Sequence, residues 1–412
     1  MTFFLRCIEP ACGATADVGH NPIACARCGG LLDVVVPPPD VDPAALKDAW
    51  SERQRSRAPR DRSGVWRFRE FLPTYSGEPV TLGEGNTPLL ETPRSALAVG
   101  VRRLYFKHLG WNPTGSFKDC GMTVGMTEAV RCGARRVACA STGNTAASMA
   151  AYAARAGVAA RAYLPAGAVS AAKLAQALDY GAEIVQVDGN FDDALKRVVA
   201  AQSQEEYFLN SLNPFRLEGQ KTVMFELLDD LQWQPPDYVV VPGGNLGNVS
   251  AFGKAFQELV AAGLVTKVPR LVVVQAEGAN PLARLWRTKA HTLEPIADPR
   301  TAATAIRIGN PASWKKALRA LRFTDGLVTD VTEDAIASAK AAIGREGIGC
   351  EPASATTLAA IQKLAAAGQL DRGATVVAIL TGHVLKDPDF IVRQSLHHRG
   401  HGGRNLKLET EK

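Results

Sequence analysis

From residue 80 onward, short runs of Val, Ile, Leu and Ala alternate with longer stretches of helical periodicity. Residues 135–140, 159–164 and 183–187 form one series of short apolar runs, and residues 238–241, 271–274 and 375–380 a second. Helical segments follow them: an Ala-rich one ending at Ala156, one near 170–180, and one starting at Asp192. Apolar runs without in-out alternation are expected of parallel strands covered on both faces. Two such series predict two α/β lobes with a cleft between them, whose ligands lie beyond the carboxyl ends of the strands. Before residue 80 the pattern changes. Residues 1–35 hold four of the eight cysteines, and Pro37, Pro38 and Pro39 stiffen the exit. Residues 36–79 read as a charged, Arg-rich linker or arm packed on the body, with a helical signal at 43–52. The expected division is a module at 1–35, an arm at 36–79, a smaller lobe at 80–222, a larger lobe at 223–390 and a basic tail at 391–412. In that tail His397, His398 and His401 read as part of a mobile segment.

Composition narrows this. A chain of 412 residues, 46% hydrophobic and 21% charged, suits two or three domains with a large core. The net charge of +6 is spread along the chain, which favours a small anionic substrate over nucleic acid. No apolar stretch is long enough to span a bilayer, and residues 1–7 lack the pattern of a secretion signal. The expected compartment is therefore the cytoplasm. Cys120, Cys132, Cys139 and Cys350 are scattered, as small core residues in a reducing compartment would be.

The other cysteines are not scattered. Cys25 and Cys28 are separated by two residues and followed by Gly29 and Gly30, the arrangement of a zinc knuckle. Cys7 and Cys12, four residues between them, complete a candidate site of four thiolates, with His20 as a substitute ligand. A structural Zn2+ would staple a flap too small for a core of its own. A nucleic-acid-binding ribbon is the competing reading, disfavoured because the segment's only arginines are Arg6 and Arg27.

Chemistry concentrates at four stretches. Lys118 sits in a turn with Gly115 and Ser116, just before a helical run. Such a lysine can condense with an aldehyde if its surroundings strip its proton. Ser141, Thr142, Gly143, Asn144 and Thr145 follow the strand at 135–140 and open a helix, a place to grip an anion. The loop Gly243, Gly244, Asn245, Leu246, Gly247, Asn248 follows a buried strand, and its backbone can close around a phosphate. Thr381 ends the last strand and offers a hydroxyl to a ring nitrogen. Taken singly, each has a plain structural explanation: a solvated lysine, an N-cap, a tight turn, a capped strand. Together they describe one cofactor, pyridoxal 5'-phosphate: an imine lysine, a phosphate loop, Asn144 for a ring hydroxyl and Thr381 for the ring nitrogen.

The stretches 112–121, 141–148, 210–222, 242–248, 304–311, 351–354 and 381–388 resemble those of the threonine synthases, within the pyridoxal-phosphate fold type II superfamily. The resemblance covers about residues 80–390, and many members carry a cysteine ribbon. It implies a two-lobed α/β fold with parallel or mixed sheets flanked by helices, plus the N-terminal zinc-ribbon-like module. It implies conversion of O-phospho-L-homoserine and water to L-threonine and phosphate by a homodimer. Lys118 would carry the cofactor as a Schiff base, and Asn144 would bond its ring oxygen. Gly244, Asn245, Leu246, Gly247 and Asn248 would hold its phosphate, and Thr381 its pyridine nitrogen. Ser141, Thr142, Thr145, Asn210, Ser211 and Arg216 would hold the phosphate of the substrate.

Three departures stand out. Cys120 replaces the usual Arg after Asp119, Val384 follows His383 where Gly is commoner, and the first cysteine pair is widely spaced. The alternatives are a cysteate-forming synthase acting on O-phosphoserine, a threonine or serine dehydratase, or a ribbon protein with an inert body. Arg216 weighs against the dehydratase, whose substrate carries no phosphate.

Overall fold

The computed structural model describes residues 3–18, 23–141, 143–166, 171–188, 197–198, 206–388 and 390. In chain order its main elements are β1 (Phe4–Cys7), β2 (Thr15–Ala16), β3 (Leu32–Val35), α1 (Pro43–Arg55), α2 (Pro59–Arg62), β4 (Leu89–Glu91), α3 (Pro93–Val99), β5 (Arg103–His108) and α4 (Lys118–Arg131). Next come β6 (Arg136–Ala140), α5 (Asn144–Ala156), β7 (Ala159–Pro165), α6 (Ala171–Asp179), β8 (Glu183–Val187), β9 (Glu206–Phe208), α7 (Pro214–Asp230), β10 (Tyr238–Pro242) and α8 (Gly247–Ala261). The last are β11 (Arg270–Ala276), α9 (Pro281–Thr288), α10 (Trp314–Phe323), β12 (Leu327–Val331), α11 (Glu333–Arg345), α12 (Pro352–Ala366) and β13 (Thr375–Leu380). The predicted helix starting at Asp192 and the histidine tail lie outside the described residues, as do His20 and Thr142.

Two sheets define the lobes. The smaller is fully parallel, in the order β8-β7-β6-β9. The larger runs β12-β11-β10-β13-β5-β4, parallel except for the antiparallel edge strand β4. Val239, Val240, Val241, Val272 and Val273 are fully buried, as the unbroken valine runs require of strands with helices on both faces.

The sheets divide the chain differently from the expected boundary at 222/223. β5 pairs with β13 from Arg103↔Thr375 through His108↔Leu380, so residues 89–108 belong to the larger sheet. α7 runs unbroken across 222/223. β5 was hidden in the sequence because it carries a buried cation. Lys107 Nζ is paired with Glu226 and Asp230, both at 2.6 Å. A buried lysine is tolerated only with such partners.

The arm is more than a linker. Its helix α1, capped by the Asp42 carboxylate on the Ala44 N–H at 2.8 Å, presents Trp50 inward. Trp50, Phe68 and Phe71 close with Phe225 of α7 into an aromatic cluster within the main core. The N-terminal module is a three-stranded antiparallel sheet, β2-β1-β3, packed on the same core. Among the described residues no helix is long and apolar enough to cross a membrane.

Candidate active site

The lysine turn is held on both sides. Gly115 adopts φ +84°, a conformation favouring glycine, and its N–H closes onto Asn112 O at 2.8 Å. The Phe117 N–H donates to Thr381 O and the His383 N–H to Gly115 O, each at 2.9 Å. The turn is thereby stitched to the loop after β13. The Asp119 carboxylate, fully buried, accepts from Thr114 N and Thr114 Oγ1 at 2.7 Å and from Ser148 Oγ at 2.5 Å. Burial outweighs those bonds and pushes its pKa up to about 6. Lys118, the first residue of α4, is partly buried, with its Nζ 4.0 Å from the centre of the Phe117 ring. Burial, then the Arg216 charge, draws its pKa from 10.5 to about 7, and Glu351 acts in the other direction.

Arg216 reaches Lys118's surroundings because α4 and α7 pack unusually close. A Cβ on Gly219 would lie 1.8 Å from Cys120 O, and one on Gly121 2.7 Å from Arg216 O. Asn213 caps α7 through the Phe215 N–H at 2.9 Å, with Pro214 as its first residue. The Arg216 side chain is 1% exposed. Its Nη1 reaches Leu209 O at 3.3 Å, its Nε has no partner, and no carboxylate pairs with it among the described residues. Burial draws its pKa down to about 10.

The glycine loop joins β10 to α8. Leu246 sits at φ +64° at the N-cap of α8, with no side-chain cap. Among the described residues, no hydrogen bond is made by the N–H groups of residues 244–248. Asn245 is fixed by its side-chain and main-chain oxygens, which accept from Ala312 N at 3.1 Å and Ser313 N at 3.3 Å. Its Nδ2 donates to Ser211 Oγ at 3.1 Å, linking the two expected phosphate sites.

At the start of α5 the cap is Gly143, not a hydroxyl residue, and Ser141 Oγ accepts only the Gly143 N–H at 3.3 Å. The plain N-cap reading therefore does not explain this cluster. Ser141, Asn144 and Thr145 are partly buried, and Thr142 is outside the described residues. Asn210 is engaged at both ends of its amide, accepting from Ala140 N at 2.7 Å and donating to Ala140 O at 2.9 Å. Its side chain fixes the end of β6.

The sequence pointed to the stretch 351–354 without a role for Glu351. This buried carboxylate accepts from Thr381 Oγ1 at 2.9 Å and from Asn144 Nδ2 at 3.0 Å. It bridges the two residues expected at the cofactor ring. Gly382 makes room for it, since a Cβ there would lie 2.5 Å from its carboxyl carbon. Ser354 Oγ accepts the Thr381 N–H at 2.8 Å.

Of the departures, Cys120 is buried with its Sγ 3.7 Å from Asn112 Oδ1. Val384 packs against Gly349, where a Cβ would lie 2.9 Å from it. The wide spacing of Cys7 and Cys12 does not keep them apart from the second pair. The four sulfurs of Cys7, Cys12, Cys25 and Cys28 all lie within 4.8 Å of one another.

These residues fit pyridoxal phosphate. A sheltered amine loses its proton near neutrality, a helix-opening loop offers unused N–H groups, and a buried hydroxyl-carboxylate pair lies at the end of β13. The family model "Pyridoxal-phosphate dependent enzyme" matches residues 80–382. The fold agrees with that of maize serine racemase (TM-score 0.63, 21% identity, covering 86% of this chain and 98% of that one). It agrees equally with the processed form of threonine deaminase isoform 2 from Solanum lycopersicum (0.65, 17%, 91% and 98%). The chain is thus a pyridoxal-phosphate-dependent enzyme of fold type II. Among curated proteins, the threonine synthase of Methanocaldococcus jannaschii is 47% identical over 95% of this chain and 94% of its own. That of Methanosarcina acetivorans is 45% identical over 95% and 94%. That of Mycobacterium leprae is 46% identical over 78% and 88%. The chain belongs to the threonine synthase family.

Proposed function

We propose that the protein converts O-phospho-L-homoserine and water to L-threonine and phosphate, with pyridoxal phosphate as its cofactor. The observation that carries the substrate is Arg216. A guanidinium 1% exposed, with no carboxylate beside it, is an expensive arrangement unless an anion completes it. Its charge is felt at Lys118, so that anion belongs to a molecule reacting there.

Pyridoxal phosphate, when bound, supplies a carbonyl for the substrate amine and a ring that withdraws electrons from its α-carbon. The N–H groups of Gly244, Asn245, Leu246, Gly247 and Asn248 would hold its phosphate, Asn144 its ring hydroxyl and Thr381 its ring nitrogen. For this the Thr381 hydroxyl would turn its one proton from Glu351 to the ring nitrogen, and as a neutral donor it does not hold that nitrogen protonated as a carboxylate would. More of the catalysis then rests on proton placement by Lys118. Its amine, neutral near pH 7, takes the α-proton, then a β-proton, and returns protons later. Arg216, with Ser141, Thr142, Thr145 and Ser211, balances the charge growing on the departing phosphate. Asn210 supports this cluster through β6.

None of the eight cysteines is paired in a disulfide, which accords with work in the cytoplasm. The exposed Trp111 and Leu385, 68% and 71% accessible near the lysine turn, accord with a homodimer that covers them.

The test is product analysis with two phosphorylated amino acids. Phosphohomoserine should give equal amounts of phosphate and threonine, while O-phosphoserine should react far more slowly. Inertness toward phosphohomoserine in cofactor-loaded protein would defeat the assignment.

A further inference from the structure

The N-terminal module touches α7, which carries Arg216, and α8, which the glycine loop opens. We propose that Cys7, Cys12, Cys25 and Cys28 hold one Zn2+, and that the loaded module braces the Arg216 helix and the glycine loop.

The metal half rests on geometry. Four thiolates around zinc at about 2.3 Å put neighbouring sulfurs roughly 3.8 Å apart. Here Cys7 and Cys28 are separated by 3.4 Å, Cys12 and Cys25 by 3.8 Å, and no pair by more than 4.8 Å. Two turns present the sulfurs. The Cys12 and Gly13 N–H groups close onto Glu9 O at 2.9 and 3.0 Å, and the Gly29 N–H onto Cys25 O at 2.8 Å. Gly13 and Gly29 have φ +52° and +71°, so each turn ends in a left-handed glycine. Besides two of the cysteines, the module's sheet buries Leu5, Leu32 and Val34, too little to hold its shape alone. A tetrahedral set of four sulfurs is a site for zinc or iron, and a closed four-thiolate set with no open position is the structural zinc arrangement.

The brace has three arms. On α10, Lys316 pairs with Asp33 at 2.9 Å and donates to Leu32 O at 2.6 Å, while Arg319 meets Asp33 at 2.5 Å and Lys315 meets Glu9 at 2.7 Å. Directly before α10, Ala312 and Ser313 hold Asn245 of the glycine loop. On α8, Lys254 donates to Val34 O at 2.5 Å and pairs with Glu218, two residues beyond Arg216. Lys221 joins Glu218 at 2.6 Å to Glu258 at 2.7 Å, tying α7 to α8. The Phe3 ring stands edge-on to Phe215, next to Arg216, with centroids 6.0 Å apart. Metal loss would loosen β1 and β3, and with them the positions of Arg216 and Asn245.

Metal analysis of the full-length, cofactor-loaded protein grown with both zinc and iron tests the first half. About one zinc per chain and negligible iron are expected, with zinc lost in Cys25→Ser and Cys28→Ser. The second half is read from inorganic phosphate as an inhibitor. Stripping zinc with a mercurial should weaken phosphate roughly five-fold or more while the cofactor absorbance is retained. Asp33→Asn, which leaves all four thiols in place, should weaken it similarly with zinc still bound. Absence of zinc, or iron in its place, overturns the metal site. Unchanged phosphate inhibition in Asp33→Asn and in stripped protein overturns the brace. Turnover of phosphohomoserine by untreated protein is scored separately, so a failed catalytic assignment shows there and not in metal content.

Discussion

Asn144 of the smaller lobe donates a 3.0 Å hydrogen bond to Glu351 of the larger, whose second oxygen takes the Thr381 hydroxyl at 2.9 Å. One carboxylate thus sets the spacing of two residues that face each other across the cleft. Burial raises the Glu351 pKa, against the pull of Asn144 and Thr381 and of the nearby Lys118. Glu351→Ala would release both partners inside a buried site. Bonds to a charged group are worth about 1.5–3 kcal/mol, so cofactor affinity should fall roughly ten-fold or more. Glu351→Gln should fall between, since an amide still accepts from one partner. Titration of apoprotein with pyridoxal phosphate reads both, and equal affinity in all three proteins would remove Glu351 from the site.

Arg216 should show function and stability pulling apart. Arg216→Met removes a buried cation that has no carboxylate beside it among the described residues, and fills most of its volume. Replacing such a charge by an apolar side chain is neutral or stabilising. The melting temperature of cofactor-loaded Arg216→Met should equal or exceed that of wild type. Its kcat/KM for phosphohomoserine should fall by about a hundred-fold or more, the loss of a charge-assisted contact of roughly 3 kcal/mol. A large loss of stability would mean that Arg216 has a structural partner in the folded protein.

How much of this was legible in the chain depends on how local the signal was. The strands at Glu183–Val187 and Thr375–Leu380 have the bounds that their apolar runs predicted, because neighbouring residues alone decide them. The helix that Lys118 opens and the glycine loop's place between β10 and α8 were legible for the same reason. β5 was not, since Lys107 breaks its pattern and its neutralising partners lie 119 and 123 residues away, in α7. Glu351 is 207 residues from Asn144, a pairing that no local pattern encodes. The module's docking on Lys254, Lys316 and Arg319 was hidden likewise, because each looks like an ordinary surface cation when read alone.

The contact between α4 and α7 gives a prediction about reach. Gly219 meets Cys120 O and Gly121 meets Arg216 O with no room for a methyl group. Gly219→Ala should push the helices apart and cost several kcal/mol, as overpacking at backbone contacts does. Soluble expression should drop sharply. Gly125→Ala is milder, since its Cβ would meet Leu209 Cδ2 at 2.8 Å and Arg216 Cγ at 3.1 Å, both on side chains that can shift. That variant should fold, keep its cofactor and raise KM for phosphohomoserine several-fold by displacing Arg216. A wild-type KM would show that Arg216 tolerates the displacement.

The depressed lysine predicts the pH response of the protein without cofactor. Lys118 is drawn from 10.5 to about 7 by burial and by Arg216, with Glu351 acting in the other direction. Only the neutral amine attacks a carbonyl, so cofactor uptake should rise with pH through about 7 and level off above it. An ordinary lysine would still be gaining rate at pH 9 or 10. The stability consequence has the same sign. Between about 7 and 10.5 the unfolded chain holds a proton on this amine that the folded chain has released. Folding stability of the apoprotein therefore gains a contribution that grows with pH across that window and is absent below it. Arg216→Met removes one of the two causes and should move the uptake midpoint upward. Stopped-flow absorbance from pH 6 to 10, on wild type and Arg216→Met, measures both midpoints. A wild-type midpoint near 10, or one that Arg216→Met leaves in place, contradicts the geometry that couples these two cations.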